Sequence, residues 1–135
     1  MQFEYRRETV TVSQFVDLLE KSGLALRRPI QDLPRLQRML DNANLIVTAR
    51  LVETGQLVGI ARSITDWSFA TYLADLAVDA AFKGRGVGKR LIEETRDLTG
   101  EESMLLLLAA PDAVGFYQKL GMPVSDRAFL YSRAR

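Results

Sequence analysis

With 135 residues, 47% of them hydrophobic and 26% charged, the chain has the size and balance of one folded domain, and disorder is excluded. Eighteen Lys and Arg against 17 Asp and Glu leave a net charge of +1, so nothing calls for nucleic acid or a membrane as partner. Neither Cys nor His occurs, which removes disulfides, thiol nucleophiles, thiolate metal sites and any imidazole acid or base. No metal site is expected, and a catalytic base must be a carboxylate, a Tyr, a Lys or a held water.

The first residues, Met1-Gln2-Phe3-Glu4-Tyr5-Arg6-Arg7, have no apolar stretch behind their charges, so no secretory signal is read and a cytoplasmic location is expected. Ser13 to Lys21 reads as a helix with Phe15, Leu18 and Leu19 on one face, Ser13 as cap and Gly23 as stop. Leu33 to Leu40 repeats the pattern, capped by Asp32 with Pro34 in the first turn. Leu45 to Glu53 is strand-like and turns at Thr54-Gly55 into a hairpin partner, Leu57 to Thr65. The turn Asp66-Trp67-Ser68 leads to a third strand, Phe69 to Val78. Gly88 to Leu98 has helical spacing and ends at Gly100. Ser103 to Ala110 is a continuous apolar run, which predicts a strand buried on both faces. It includes the longest apolar stretch, Met104 to Ala110, far short of the ~20 residues that cross a bilayer. A short helix, Asp112 to Leu120, and a last strand, Arg127 to Ser132, complete the order.

These elements predict a single α/β domain over residues 1–135. Its sheet is mixed and mostly antiparallel, is flanked by helices, and contains a right-handed strand–helix–strand crossover from Phe69 to Ala110.

The segment from Asp79 to Leu91 joins a strand to a helix and carries Gly84, Gly86 and Gly88 at alternate positions. Glycines there admit positive φ and close approach of a ligand, and backbone N–H groups converge at the helix N-terminus as an anion site. Lys83, Arg85, Lys89 and Arg90 crowd the same turn, as phosphates would favour. Two familiar phosphate motifs fail here. The P-loop needs Gly at 83 and Ser or Thr at 90, where Lys83 and Arg90 stand. The dinucleotide fingerprint needs Gly at 89, where Lys89 stands.

A third pattern fits. Lys83-Gly84-Arg85-Gly86-Val87-Gly88 resembles the Q/R-x-x-G-x-G/A signature of the GNAT superfamily of acyl-CoA-dependent N-acyltransferases. Leu73 to Asp79 looks like the strand before that loop. Ala113-Val114-Gly115-Phe116-Tyr117-Gln118-Lys119-Leu120-Gly121-Met122 resembles the second motif of the family. Lys83 departs from the usual Gln or Arg, and Met122 from the usual Phe. The resemblance runs from Leu45 to Tyr131 and is weaker in the N-terminal region, where acceptor specificity lies.

The resemblance implies acetyl-CoA as co-substrate and an amine of unidentified class as acceptor. It implies that backbone from Arg85 to Lys89 wraps the pyrophosphate, that Lys83, Arg85 and Lys89 add charge, and that the strand edge at Leu76, Ala77 and Val78 bonds the pantetheine arm. It also implies that this strand splays from Ser103–Ala110 to make an opening. Tyr117 matches the general acid of the family, and Phe116 beside it falls at the same site. Asp75, inside an apolar strand, is a candidate base. If the Asp66–Ser68 turn closes the hairpin, however, Arg62 lies nearly opposite it, and a structural ion pair is the better reading. Asp66, Trp67 and Tyr72 are candidate acceptor-side residues. Asp66 also fits a plain turn and Trp67 an ordinary core aromatic. Without Cys, direct attack in a ternary complex is expected. A domain that binds acyl-CoA without catalysis is the alternative, and analogy with small relatives leaves a homodimer open.

Overall fold

A computed structural model describes residues 1–135. The chain runs β1 (Phe3–Arg7), α1 (Val12–Ser22), α2 (Leu33–Asp41), β2 (Leu45–Leu51), β3 (Leu57–Thr65), β4 (Ala70–Val78), α3 (Val87–Thr99), β5 (Met104–Leu106) and α4 (Val114–Leu120). Short 3₁₀ turns at Leu24–Arg27, Ala80–Phe82 and Pro111–Ala113 link these elements. The five strands lie in the order of the sequence, antiparallel throughout except for the parallel β4–β5 pair. This is the expected mixed sheet with α3 as the crossover. No helix is long and apolar enough to cross a membrane.

Alternation along the strands sends apolar side chains to both faces, and each face has its own core. On one face Val47, Ala49, Val58, Ala61 and Leu73 pack against Val87, Leu91 and Ile92 of α3. On the other, Ile46, Ile60 and Ala77 meet Phe15, Leu18 and Leu19 of α1 and Leu36 and Leu40 of α2. Burying each such Leu or Ile contributes ~1.5–3 kcal/mol. Gly59 lets α3 come close: a Cβ there would lie 3.0 Å from Leu91 Cδ1 and 3.1 Å from Val87 Cγ1.

Four local expectations need correction. Thr11, not Ser13, caps α1: its hydroxyl accepts from Gln14 N–H at 3.1 Å while Gln14 Oε1 accepts from Thr11 N–H at 3.0 Å. Phe3–Arg7 forms an edge strand that the reading above omits, with Phe3 and Tyr5 turned to the α3-side core. The apolar run at Ser103–Ala110 yields only Met104–Leu106 as strand, and it is not buried on both faces: Met104, Leu106 and Leu108 are exposed. Residues Arg127–Ser132 form no strand. The last two share a cause. β5 is the sheet edge and no strand pairs beyond it, so neither segment gains a second ladder or a covered face.

Candidate active site

β4 and β5 pair only from Ala70–Met104 to Tyr72–Leu106. Beyond Tyr72, β4 continues to Val78 with β3 on one side and no strand on the other. The bond from Asp79 N–H to Val58 C=O at 2.8 Å fixes which groups face which way. By antiparallel alternation Ala77 turns its backbone groups to β3, while those of Leu76 and Val78 turn to the open side. A β-bulge lies just upstream. Arg62 pairs with Asp75 but Ser63 pairs with Leu73, so Ala74 is the extra residue.

The open edge leads into the glycine turn. Asp79 Oδ1 accepts from Ala81 N–H at 2.9 Å and shapes the 3₁₀ turn. Gly84 at φ +79° and Gly86 at φ +81° take the left-handed conformation that favours glycine. Gly86 is the N-cap of α3 and offers no side chain to it. The first amide bonded back to this cap is Arg90 N–H, to Gly86 C=O at 3.0 Å. The N–H groups of Val87, Gly88 and Lys89 therefore have no acceptor within the helix and form, with the helix dipole, a place for an anion.

Gly88 serves a different purpose from the other two. Its φ is not positive, and a Cβ on it would lie 2.9 Å from Phe116 Cζ. It makes room for the Phe116 ring rather than for a turn. The basic side chains also divide. Lys83 Nζ donates to Ser22 C=O at 3.2 Å, across to the end of α1. Arg90 is paired with Glu94 at 2.8 Å and lies over the Tyr5 ring at 4.8 Å. Lys89 is exposed, 4.0 Å from Glu93, and exposed Arg85 makes no hydrogen bond or ion pair within the protein. Val87 itself is a core side chain, 1% exposed.

Tyr117, on α4, packs half-buried against the α3-side core, its ring edge-on to Phe116 with centroids 5.0 Å apart. Burial raises the pKa of its phenol above the ordinary value, and the positive charge of Arg28 pulls against that rise. Its hydroxyl makes no hydrogen bond within the protein.

On the other face of the sheet Asp75 is enclosed. Its Oδ2 accepts from Arg62 Nε at 2.5 Å and its Oδ1 from Arg28 Nε at 2.5 Å, and its side chain has no exposed surface. The bulge at Ala74 brings Arg62, expected only nearly opposite, into register with Asp75. Arg28 was not foreseen. It comes from the Arg27-Arg28-Pro29 stretch, 47 residues away, and also donates to Ala74 C=O at 3.1 Å. A cleft of about 670 Å³ opens beside this trio, lined among others by Tyr72, Ala74 and Leu108, with Leu130 and Tyr131 of the C-terminal segment across it.

Tyr72 thus faces the cleft, whereas Asp66 and Trp67 do not line it. Asp66 Oδ1 accepts from the N–H groups of Ser68, Phe69 and Ala70 at 2.9, 2.8 and 3.0 Å, and bonds from Ala70 first, then Ser68 and Phe69, hold its pKa below the ordinary value. Trp67 holds φ +65° in the same turn and its ring packs under the Arg7 guanidinium at 4.9 Å. The geometry of both residues is that of a tight hairpin end, outside the cleft.

Comparison with known proteins follows the same lines. Residues 13–122 match the profile described as "Acetyltransferase (GNAT) family". An uncharacterized N-acetyltransferase ycf52 of Pyropia yezoensis is 32% identical over 71% of this chain and 56% of its own length. A chloroplastic GCN5-related N-acetyltransferase 2 of Arabidopsis thaliana is 37% identical over 78% of this chain and 50% of its own. The chain therefore spans about half the length of these curated relatives. A solved structure from meticillin-resistant Staphylococcus aureus, a probable acetyltransferase, shares the fold with TM-score 0.79 at 20% identity, covering 98% of this chain and 99% of that one. The glycine turn, the half-open β4 and a profile match across most of its length agree: the chain belongs to the acetyltransferase (GNAT) family.

Proposed function

We propose that this domain, residues 1–135, transfers an acetyl group from acetyl-CoA to a primary amine by direct attack in a ternary complex. The observation that carries this reading is the junction of an unpaired β4 edge with amides at the start of α3 that have no acceptor within the helix. The residues suit the donor. The amides of Val87, Gly88 and Lys89, shaped by Gly84 and Gly86, fit a pyrophosphate, with Arg85 and Lys89 free to add charge. Lys83 anchors the turn to α1 instead. Leu76 and Val78 offer backbone donors and acceptors to an extended amide-bearing arm, with Ala77 as spacer between them. Phe116 and Tyr117 stand at the α4 side of the opening.

Acetyl-CoA supplies a thioester whose carbonyl the amine attacks, with CoA as the leaving thiol. As the C–N bond forms and the C–S bond breaks, the Tyr117 hydroxyl gives its proton to the leaving sulfur; burial keeps that proton in place near neutral pH. The proton of the amine passes to water in the cleft, because Asp75 is sealed between two guanidiniums. Lack of Cys rules out a thioester acyl-enzyme and predicts sequential kinetics.

An amine panel with acetyl-CoA, read as free-thiol release, tests the proposal. CoA at ~100 times its Kd should stabilise the fold by about 2.7 kcal/mol. That stabilisation without thiol release from any amine would indicate an acyl-CoA-binding domain, and no stabilisation would remove the donor site as well.

A further inference from the structure

The cleft beside β4 is lined by six arginines, Arg27, Arg28, Arg35, Arg62, Arg133 and Arg135, with Asp75 as its one acidic side chain. The whole chain carries only +1, so this surplus is local. Asp75 can balance only one of the two guanidiniums that hold it.

Arg62 shows what is missing. It is 6% exposed; its Nε donates to Asp75 and its Nη1 to Met39 C=O at 3.2 Å. Its Nη2 donates to nothing in the protein. It is not sealed from solvent, and Arg62 is one of the residues that line the cleft. Arg35, half-buried on α2, donates only to the main-chain oxygen of Arg135, at 3.0 Å. The Arg27 guanidinium makes no hydrogen bond. A nearly buried guanidinium with an unused donor and unbalanced neighbours is costly, and a bound anion relieves that cost. Planar guanidinium forks match carboxylate and phosphate oxygens in pairs.

Resting on the acetyl-transfer reading above, we infer that the acceptor is a small amine that also bears an acidic group, a carboxylate or a phosphate ester. Arg62 Nη2 and Arg35 hold the acid, with Arg27 at the rim. Tyr72 and Leu108 supply apolar walls, and the amine is left toward Ala74 and the open edge of β4. The cleft is of the size that encloses a small molecule. The same arginines repel polyamines and other acceptors whose only charge is positive.

Matched amines separate the cases. Thiol release is compared for 3-aminopropanoate and 2-aminoethyl phosphate against propylamine, tryptamine and spermidine. The acid-bearing amines should exceed the others by at least about tenfold in kcat/KM, and the better of the two names the acid. Arg35→Gln should shrink that ratio mainly through KM and Arg35→Lys should restore only part of it, whereas Arg38→Gln, on an exposed part of α2 outside the cleft, should not. Propylamine or tryptamine matching the acid-bearing amines, or a ratio indifferent to Arg35→Gln, would overturn the inference. If no amine is acetylated, the transfer reading fails by itself, and calorimetry with the same compounds still decides this one. Binding of the acid-bearing amines alone upholds an anion-selective cleft, and equal or absent binding of both kinds ends it.

Discussion

Arg62 and Asp75 stand opposite each other on β3 and β4, with Arg62 Nε 2.5 Å from Asp75 Oδ2. Arg28 takes the other carboxylate oxygen at the same distance. Removing the carboxylate strands two guanidiniums in a buried wall. Asp75→Ala should therefore lose about 3–5 kcal/mol in urea unfolding. Catalysis should respond differently. Sealed from solvent, Asp75 takes no proton from the amine, so Asp75→Asn should leave the basic limb of the kcat/KM profile where it was. A displaced limb would restore Asp75 as the base.

Tyr117 is half-buried, its pKa is raised by burial, and its hydroxyl has no protein partner. It therefore stays protonated past the ordinary 10.0, and kcat should show no fall from loss of this acid until strongly alkaline pH. Tyr117→Phe keeps the ring that packs against Phe116 but removes the proton. Turnover should drop roughly 10²–10⁴-fold while the thermal shift with CoA is unchanged. Full turnover with the best acceptor would end the assignment.

What the sequence revealed depended on how local the cause was. The Arg62–Asp75 pair was legible to within a residue because a turn at Asp66–Ser68 brings the two close, and the bulge at Ala74, which no local pattern marks, sets the final register. Gly84 and Gly86 were legible because only glycine suits their backbone. Gly88 belongs to the same spacing but answers to Phe116, 28 positions later, and spacing cannot tell a ligand from a ring. Arg28 was invisible for a like reason: its partner lies 47 residues on and no local pattern marks it. The apolar stretch at Ser103–Ala110 predicted more strand than β5 holds because pairing needs a neighbour, which composition does not report. The arginines of the cleft come from α2, β3, the α1–α2 connection and the C-terminal segment, so only the fold assembles them.

The two kinds of glycine make separable predictions. A Cβ on Gly86 meets nothing within 4 Å, but φ +81° strains any L side chain there. Gly86→Ala should cost about 1–2 kcal/mol and weaken CoA binding whatever stands at 116. Gly88→Ala meets Phe116 Cζ at 2.9 Å without backbone strain. It should cost about 1–3 kcal/mol, and Phe116→Leu should relieve much of that. A double-mutant cycle read by unfolding would show coupling for 88 with 116 and near-additivity for 86 with 116. Equal coupling in both cycles would refute the division.

Acid stability should report on a site far from the chemistry. Glu8, just after β1, accepts from Arg50 Nε at 2.8 Å, from Arg50 Nη2 at 3.3 Å and from the Thr48 hydroxyl. Burial pushes its pKa up, but the bonds from Arg50 and Thr48 outweigh burial and leave it below the ordinary 4.5. The unfolded chain then takes up this proton first as pH falls. The contribution is present above 4.5 and is lost as pH drops through the lower folded value. Glu8→Gln should accordingly be less stable than the parent by about 1 kcal/mol near neutral pH. The gap should close below 4.5, because every other carboxylate is common to both proteins and cancels in the difference. Urea titrations of the two proteins on either side of that pH measure it; a gap that stays constant into acid would mean that Glu8 acts through packing and not through its charge.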